Sequence, residues 1–395
     1  MNLSNRIRAV GPSATLAITK QAKKMQSEGI DVVDFGAGEP DFDTPAFIKD
    51  AAAKALAAGD TKYMPRSAAP LRKAIADKLA RDNGLTYSPD QVLVTFGSKH
   101  GLYAACQVLL NEGDKALIPA PYWVSYPEMV KLAGGVPVYL PAKADRQFKI
   151  TPQQILDAPK DAKILFLNSP NNPTGMTYTR AELAALAEAV LKTNLVVLSD
   201  EVYEILVYGG TEFVSFASLD KRLMDRTVTF NALSKTFSMT GWRLGWMAGP
   251  ADFIDAVSRL MSHETTNPVS FAQAGAVAAY TDPRAKETLA AMHREFEQRG
   301  RLMAERLNAM PGVRCVPPTG AFYCFPDVSG TYGRTLAGVK VTDSMTFSEA
   351  ALKGARVALV PGAPFGDDAC VRLSFALGRA DIEKGLDRLA DLLKL

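Results

Sequence analysis

The sequence lacks the residues from which metal sites and disulfide frameworks are built. It has three histidines and four cysteines, and no two of the cysteines form a CxxC pair (Cys106, Cys315, Cys324 and Cys370). We therefore expect no metal site, and we interpret the cysteines as reduced, mostly buried thiols of a cytoplasmic enzyme. The 45 basic and 42 acidic residues leave a net charge of +3 without a basic block, which indicates no nucleic-acid partner.

Long apolar runs are also missing. The longest stretch without a charged residue or histidine is Thr265–Thr281, which is too polar and slightly too short to span a bilayer. The first fifteen residues contain no apolar segment of the kind found in secretory signals, so we expect no membrane partner. A chain of 395 residues that is 47% hydrophobic and 22% charged can nevertheless bury a large core.

Short β-branched runs alternate with amphipathic helical patterns through the middle of the chain. This alternation predicts helical crossovers between parallel strands, and so a mostly parallel α/β sheet. The predicted strands are 92–96, 116–119, 136–140, 164–168, 195–199, 227–231 and 244–249. The predicted helices include 71–83, 99–110, 122–132 and 180–193. The last of these has a capping box, because Glu182 follows Thr179 by three residues.

The two ends of the chain have a different pattern. The N-terminal part holds a helical pattern and the turn-rich GAGEPDFDTP, and a long polar helix is predicted over 283–309. Short strands then follow at 313–316, 321–325, 357–359 and 370–375, before a final helix from Ala380. We predict a large α/β domain over 46–290 and a smaller α+β domain built from 1–45 and 291–395.

Polar residues follow the carboxyl ends of the predicted strands, where open α/β sheets bind their ligands. Gly97-Ser98-Lys99 opens a helix after the first strand, and free N–H groups at such a position favour a phosphate. Later strands are followed by Asn172, by Asp200 and Tyr203, by Ser234 and Lys235, and then by Arg243. Each of these alone is typical of a helix cap, a solvated lysine or a surface ion pair. Their arrival at one edge of the sheet predicts a site.

The common nucleotide motifs do not account for this edge. No GxxxxGK[ST] occurs, and Gly36-Ala37-Gly38 is followed by Glu-Pro-Asp where a third glycine belongs. The set fits pyridoxal 5′-phosphate, which needs a lysine for a Schiff base, a carboxylate at the pyridinium nitrogen, a donor to the ring phenolate and an anion site. In that order these are Lys235; Asp200; Tyr203 with Asn172; and Gly97 and Ser98 with Arg243.

Around these residues the sequence resembles class I aminotransferases of fold type I, and within them the bacterial subgroup of aspartate and prephenate aminotransferases. The resemblance runs almost end to end, from Pro12-Ser13-Ala14-Thr15 to the C-terminal helix. It is carried by GAGEPDFDTP (36–45), TKYMP (61–65), PYWVSYPEMV (121–130), NSPNNPTG (168–175), SDEVYE (199–204), SKTFSMTGWRLGW (234–246), GAFY (320–323) and VRLSFA (371–376). It implies an α/β fold-type I transferase, with a mostly parallel seven-stranded sheet in the large domain and a smaller α+β domain from both chain ends.

The resemblance also implies roles at matching positions. Lys235 would form the Schiff base and shuttle the substrate proton, Asp200 would hold the pyridinium, and Asn172 and Tyr203 would contact the phenolate oxygen. The phosphate would be held by Gly97, Ser98, Lys99, Ser234, Arg243 and, from the neighbouring subunit of a homodimer, Tyr63. The substrate would be bound by Arg372 as a bidentate fork, helped by Gly38, Lys99, Trp123 and Asn172, with Trp123 also stacking on the ring.

Two positions bear on substrate choice. Lys99 would pair with a distal carboxylate, as in aspartate, glutamate or oxaloacetate. The loop after Tyr63 departs from the family pattern Y-x-P-x-x-G-x-x-x-L-R, because it is one residue shorter and lacks the glycine. We expect Arg66, in that loop, to modify side-chain selectivity in the partner's site.

The predicted function is ping-pong transamination between aspartate and 2-oxoglutarate. Four alternatives stay open at this point. They are a prephenate or aromatic amino acid aminotransferase; another reaction of the same cofactor, such as a β-lyase or decarboxylase; a cofactor-sensing transcription regulator, which would need a DNA-binding extension; and a nicotinamide oxidoreductase, disfavoured by the incomplete glycine motif.

Overall fold

A computed structural model describes residues 1–11, 14–64 and 69–394, with residues 14–19 described by their backbone alone. In these ranges the helices are α1 (Asn5–Arg8), α2 (Ala14–Ser27), α3 (Ala46–Ala57), α4 (Ala69–Asn83), α5 (Ser98–Leu109), α6 (Ser125–Leu132), α7 (Pro152–Asp157), α8 (Arg180–Val190), α9 (Lys221–Met224), α10 (Leu233–Thr236), α11 (Ala251–Glu264), α12 (Ser270–Thr281), α13 (Arg284–Asn308), α14 (Ser344–Ala350) and α15 (Arg379–Lys394). None of them combines the length and the apolar surface needed to cross a membrane.

The strands of the described chain fall into one large sheet and several small ones. They are β1 (Val33–Asp34), β2 (Val92–Thr95), β3 (Lys115–Ala120), β4 (Val136–Pro141), β5 (Ala162–Asn168), β6 (Val196–Asp200), β7 (Thr227–Ala232), β8 (Gly245–Ala248), β9 (Tyr323–Cys324), β10 (Thr335–Leu336), β11 (Val339–Lys340), β12 (Val357–Ala358), β13 (Val360–Pro361) and β14 (Val371–Ser374).

The large sheet has seven strands in the order β2-β8-β7-β6-β5-β3-β4. Its neighbours pair in parallel except at β8, which runs antiparallel to both β2 and β7. These are the seven strands predicted from the sequence, so the mostly parallel α/β sheet is confirmed. Its central strands are buried on both faces, which is why they are apolar throughout and do not alternate.

The two chain ends meet beside this sheet. Val33 of β1 pairs in parallel with Val357 of β12, and β14 lies between β13 and β9 in a small antiparallel sheet. α13 and α15 pack on these strands in one apolar core that includes Phe296 and Leu386. A smaller α+β part built from both chain ends is therefore present, while the domain limits at 45/46 and 290/291 stay a prediction.

One predicted strand is wrong. Residues 313–316 form no strand, and only Arg314 makes an isolated bridge, to Asp327. Gly312 has a φ of +80° on one side and Pro317-Pro318 follow on the other, so the segment has no room for a ladder. Val313 and Cys315 still bury their side chains, which explains the apolar pattern.

Two predicted helices differ from the pattern at one end. α6 begins at Ser125 and not at Tyr122, because the Tyr122 N–H donates to Phe365 O and so lies outside the helix. α8 begins where predicted, with the Thr179–Glu182 capping box formed, but ends at Val190, three residues early. All four cysteines are free and buried, as expected.

Candidate active site

A cavity of about 510 Å³ lies at the carboxyl edge of the large sheet. Its walls come from the residues that follow β2, β5, β6 and β7, from the loop after β1, and from β14. Every site residue predicted from the sequence lines it except Tyr63, namely Gly38, Gly97, Ser98, Lys99, Trp123, Asn172, Asp200, Tyr203, Ser234, Lys235, Arg243 and Arg372. Parallel strands deliver their ends to a single edge, which brings these residues together across 335 positions of sequence.

Lys235 projects into the cavity from α10, directly after β7. Its Nζ donates to the carbonyl oxygen of Gly38 and lies 5.7 Å from the centre of the Phe322 ring. Burial lowers the pKa of this amine to about 8, helped by the guanidinium of Arg372 and opposed by the carboxylate of Glu39. A large fraction of the amine is therefore neutral at mildly alkaline pH, as a nucleophile or general base requires.

Asp200 ends β6 and is buried. Its Oδ2 accepts a hydrogen bond of 2.7 Å from the hydroxyl of Tyr126, while Oδ1 is buried without a hydrogen-bond partner among the described residues. Burial raises the pKa of Asp200 to about 6, and the Tyr126 hydroxyl works against that rise. A buried carboxylate oxygen without a donor is costly, so this atom fits a protonated ring nitrogen.

The opposite end of the cavity is suited to an anion. Gly97 caps α5 with a φ of +79°, and a Cβ there would come within 2.8 Å of Arg243 Nη2. The exposed Arg243 donates from Nη1 to Thr240 O at 2.8 Å. The buried Ser98 hydroxyl has no hydrogen bond of good geometry, but it lies close enough to Asp200 to lower the pKa of that carboxyl. The helix N-terminus and the guanidinium at this point are suited to a phosphate.

Arg372 is a buried cation with neutral hydrogen-bond partners. It is 3% exposed, its Nη1 donates to Asn172 Oδ1 at 3.1 Å, and its Nη2 donates to Gly36 O at 2.9 Å. The guanidinium lies 4.6 Å from the centre of the Tyr323 ring, and its Nε is buried without a partner. Such a group needs an anion to complete it, and a carboxylate matches its planar fork.

Aromatic rings and further charged side chains, among them Lys23, Asp34, Glu39 and Lys99, line the rest of the cavity. The Tyr203 and Tyr323 hydroxyls share a hydrogen bond of 2.9 Å, and Lys99 Nζ lies 4.8 Å from the centre of the Trp123 ring. Partial burial, and then the charge of Arg243, lower the pKa of Lys99. Lys99 therefore lies over the Trp123 ring and near Arg243, where its ammonium faces the cavity.

Three predictions fall outside this cavity or outside the described chain. Tyr63 is 85% exposed and borders a different hollow, beside α12. Arg66 lies outside the described residues, as do Pro12 and Ser13 of the matching N-terminal stretch. The roles predicted for these residues stay predictions.

Sequence reasoning missed several residues that the structure places at the site. Tyr126 holds Asp200, and Tyr323 holds Tyr203. Asn168 donates from Nδ2 to Asp200 O at 2.9 Å and accepts from the Asn172 backbone N–H at 2.9 Å. Asn168 could have been found, because it ends a predicted strand at the ligand edge. The tyrosines could not, since their hydroxyls are directed by packing between distant segments.

Comparison with known proteins gives a consistent picture. A model of the protein family described as "Aminotransferase class I and II" matches residues 30–389 of the chain. The chain is 49% identical to an aspartate aminotransferase of Geobacillus stearothermophilus, covering 98% of both sequences. It is 47% identical to an aspartate/prephenate aminotransferase of Cereibacter sphaeroides, covering 95% of this chain and 94% of that protein. The structure resembles the aspartate aminotransferase of Thermus thermophilus with maleate, at a TM-score of 0.93, 39% identity and full coverage of both chains.

Proposed function

The chain belongs to the class I and II aminotransferases, and from this premise we propose that it transfers the amino group between L-aspartate and 2-oxoglutarate. Its cofactor is pyridoxal 5′-phosphate. The observation that carries the proposal is a single cavity in which the Lys235 amine, the Asp200 carboxylate and the Arg372 guanidinium meet. The names of relatives at 46–49% identity over nearly the whole chain support aspartate as the amino donor.

The cavity fits this cofactor on observations of its own atoms. The unpartnered Asp200 Oδ1 suits the ring nitrogen, and the N-terminus of α5 at Ser98 with the guanidinium of Arg243 suits the phosphate. We assign the phenolate contacts to Tyr203 and Asn172, a face of the ring to Trp123, and further phosphate contacts to Gly97, Lys99 and Ser234. When bound, pyridoxal phosphate supplies an aldehyde that condenses with amines and a ring that accepts the electron pair released at the substrate Cα.

Two residues handle the protons. Asp200, with a pKa of about 6, is ionised at neutral pH and holds a proton at the ring nitrogen by its charge. Lys235, with a pKa of about 8, would take the proton from the substrate Cα with its Nζ. It would then deliver that proton to the cofactor carbon that had carried the aldehyde. A single amine with an intermediate pKa serves as base and then as acid.

Two cations orient the substrate. Arg372 offers its fork to the α-carboxylate, and its neutral partners leave its charge available for that purpose. Lys99, whose ammonium lies over Trp123, attracts the second carboxylate. A substrate with two carboxylates is held at both ends, which fits aspartate and 2-oxoglutarate.

We also propose a homodimer in the cytoplasm. Tyr63 is a large, exposed aromatic residue outside its own cavity, and it is assigned to the phosphate of the neighbouring subunit. The four free, buried cysteines favour a reducing compartment.

Mixing two variant chains tests the shared site. One chain carries Tyr63→Phe and the other carries the inactivating Lys235→Ala. In a hybrid dimer, the site with the intact Lys235 receives the intact Tyr63 from its partner, so one site is complete.

The visible absorbance of the purified protein tests the reaction. We expect a cofactor band that L-aspartate bleaches and 2-oxoglutarate restores. Lys235→Ala should lose this cycle and keep its fold, whereas Lys73→Ala, an exposed lysine paired with Asp77, should cycle like the wild type. A protein that binds no pyridoxal phosphate, or a Lys235→Ala variant that still turns over, would overturn the assignment.

A second candidate is transamination of prephenate, favoured by the 47% identity to an aspartate/prephenate aminotransferase. Prephenate also has two carboxylates, so Arg372 and Lys99 could hold it as they hold aspartate. Comparing kcat/KM for prephenate and for 2-oxoglutarate as acceptors decides between them. A value for prephenate more than about a hundredfold lower would remove this candidate, since that difference equals nearly 3 kcal/mol of transition-state binding.

A further inference from the structure

Arg299 is a buried cation that the proposed reaction does not use. It lies in α13 with 6% of its surface exposed. Its Nη1 donates to Asp41 Oδ1 at 2.7 Å and its Nε donates to Glu295 Oε1 at 2.9 Å. The guanidinium also lies 5.2 Å from the ring centre of Phe42 and 5.7 Å from that of Phe296. Burying such a charge is costly unless it is well paired, so its partners indicate what it holds.

Two of these contacts lead to the loop of residues 36–44, which has no regular secondary structure. This 36–44 loop forms part of the cavity wall. Its Gly36 carbonyl accepts from Arg372 Nη2 at 2.9 Å, and its Gly38 carbonyl accepts from Lys235 Nζ. The position of the loop therefore decides where Arg372 and Lys235 find these two acceptors.

The loop is attached on two sides. Toward the large sheet, Thr240 donates to Glu39 Oε2 at 2.7 Å, and Thr44 donates to Ser238 O at 2.7 Å. On the other side, Asp41 is bound to Arg299 in α13. The N-terminal end of the loop is anchored as well, because the Phe35 N–H donates to Ala358 O and Phe35 O accepts from the Ser374 N–H, both at 2.8 Å. The Gly36 carbonyl is the first group beyond this anchor. From there to Thr44 the loop has no ladder hydrogen bonds, so its position depends on these side-chain attachments and shifts when one of them is removed.

We propose that Arg299 is a positioning residue for substrate binding. By holding Asp41, it fixes the 36–44 loop so that the Gly36 carbonyl orients the fork of Arg372 toward the α-carboxylate of the substrate. This inference rests on the proposed function, in which Arg372 binds that carboxylate. A displacement of about 1 Å in a carboxylate clamp is enough to weaken binding severalfold or more.

The test compares Asp41→Asn with Glu295→Gln. Both are isosteric and remove the negative charge of one partner of Arg299, but only Asp41 belongs to the loop. The holoenzyme is assayed for KM and kcat with L-aspartate, and for the Kd of maleate as a substrate-like dicarboxylate. We expect Asp41→Asn to raise KM and Kd by roughly five- to tenfold, as for one charge-assisted hydrogen bond, with kcat within about twofold. Glu295→Gln should change each value less than about twofold.

A double variant shows whether the effect passes through Arg372. In an Arg372→Lys enzyme, adding Asp41→Asn should weaken maleate binding little further, because the fork it orients is gone. If the two substitutions weaken maleate binding independently, so that their fold-changes multiply in the double variant, the inference is overturned. An Asp41→Asn enzyme that behaves like Glu295→Gln would overturn it as well. These results are separable from failure of the proposed function, which would show as a wild-type protein without cofactor absorbance or transamination.

Discussion

Replacing Tyr126 by phenylalanine should weaken cofactor binding in a strongly pH-dependent way. The Tyr126 hydroxyl donates to Asp200 Oδ2 at 2.7 Å within the buried site, and burial alone drives the pKa of this carboxyl upward. A hydrogen bond to a buried charge contributes about 1.5–3 kcal/mol, which equals roughly one to two pKa units. Its removal should therefore raise the pKa of Asp200 from about 6 to neutrality or above.

The size of the loss in cofactor affinity follows from competition between a proton and the cofactor ring nitrogen for the Asp200 carboxylate. The cofactor ring nitrogen needs the ionised carboxylate, so any proton on Asp200 must leave on binding. At about pH 6.5 the wild-type carboxyl is mostly ionised, while the Tyr126→Phe carboxyl would be mostly protonated, which weakens binding by roughly three- to twenty-fivefold for a rise of one to two pKa units. Near pH 9 both are ionised, and the two proteins should bind equally.

The assay is titration of each apoenzyme with pyridoxal phosphate, followed by visible absorbance at both pH values. Tyr122→Phe is the matched control, since this tyrosine stacks on Tyr139 at 5.1 Å and does not line the cavity. Equal weakening at both pH values would mean that the hydroxyl acts through packing. No weakening near pH 6.5 would refute the claim that it keeps Asp200 charged.

Three further outcomes are expected. Arg372→Lys should raise KM for L-aspartate by tenfold or more without changing the cofactor absorbance, because an ammonium cannot form the bidentate fork; an unchanged KM would contradict the carboxylate assignment. Lys99→Met should lower kcat/KM for aspartate about tenfold more than for tyrosine, and equal losses would show that Lys99 does not select the second carboxylate. Glu201→Gln should stabilise the protein at alkaline pH. Burial raises the pKa of Glu201 from 4.5 to about 7, so between these pH values the carboxyl ionises in the unfolded chain but stays protonated in the folded one. This difference lowers the stability of the wild type as pH rises, and the glutamine variant does not have it. The gain in unfolding free energy, by urea titration, should approach about 3 kcal/mol above pH 7 and vanish below pH 4.5, and a pH-independent gain would refute it.

The large sheet was predictable because each of its strands is a local pattern. A buried parallel strand needs a short apolar β-branched run, and the helix after it needs an amphipathic one, so both can be recognised within about fifteen residues. The small antiparallel strands were harder. Residues 313–316 have the apolar side chains of a strand, but whether they pair depends on Gly312 and on Asp327, fourteen residues from Val313.

The site was predictable to the extent that it lies at strand ends. Asp200 and Lys235 could be assigned by position, since parallel strands place their carboxyl ends at one edge. The contacts of Tyr126, Tyr323 and Arg299 could not be assigned in this way. The contacts of Tyr126 with Asp200, of Tyr323 with Tyr203 and of Arg299 with Asp41 join residues 74, 120 and 258 positions apart. A local sequence pattern carries no information about such distant contacts.

The site is left with unpaired polar atoms because its parts come from both chain ends. The pairing of β1 with β12 brings the Gly36 carbonyl to Arg372, but a carbonyl only orients that guanidinium and does not neutralise it. Asp200 likewise has neutral partners, chiefly the Tyr126 hydroxyl, with smaller contributions from the Val202 backbone and the Ser98 side chain. A carboxylate placed beside Arg372, or a lysine beside Asp200, would lower the cost of burying these charges and would also occupy the position that the ligand needs. The unpaired Asp200 Oδ1 and Arg372 Nε are thus the atoms at which, in the proposed function, the cofactor and the substrate would supply the missing partners.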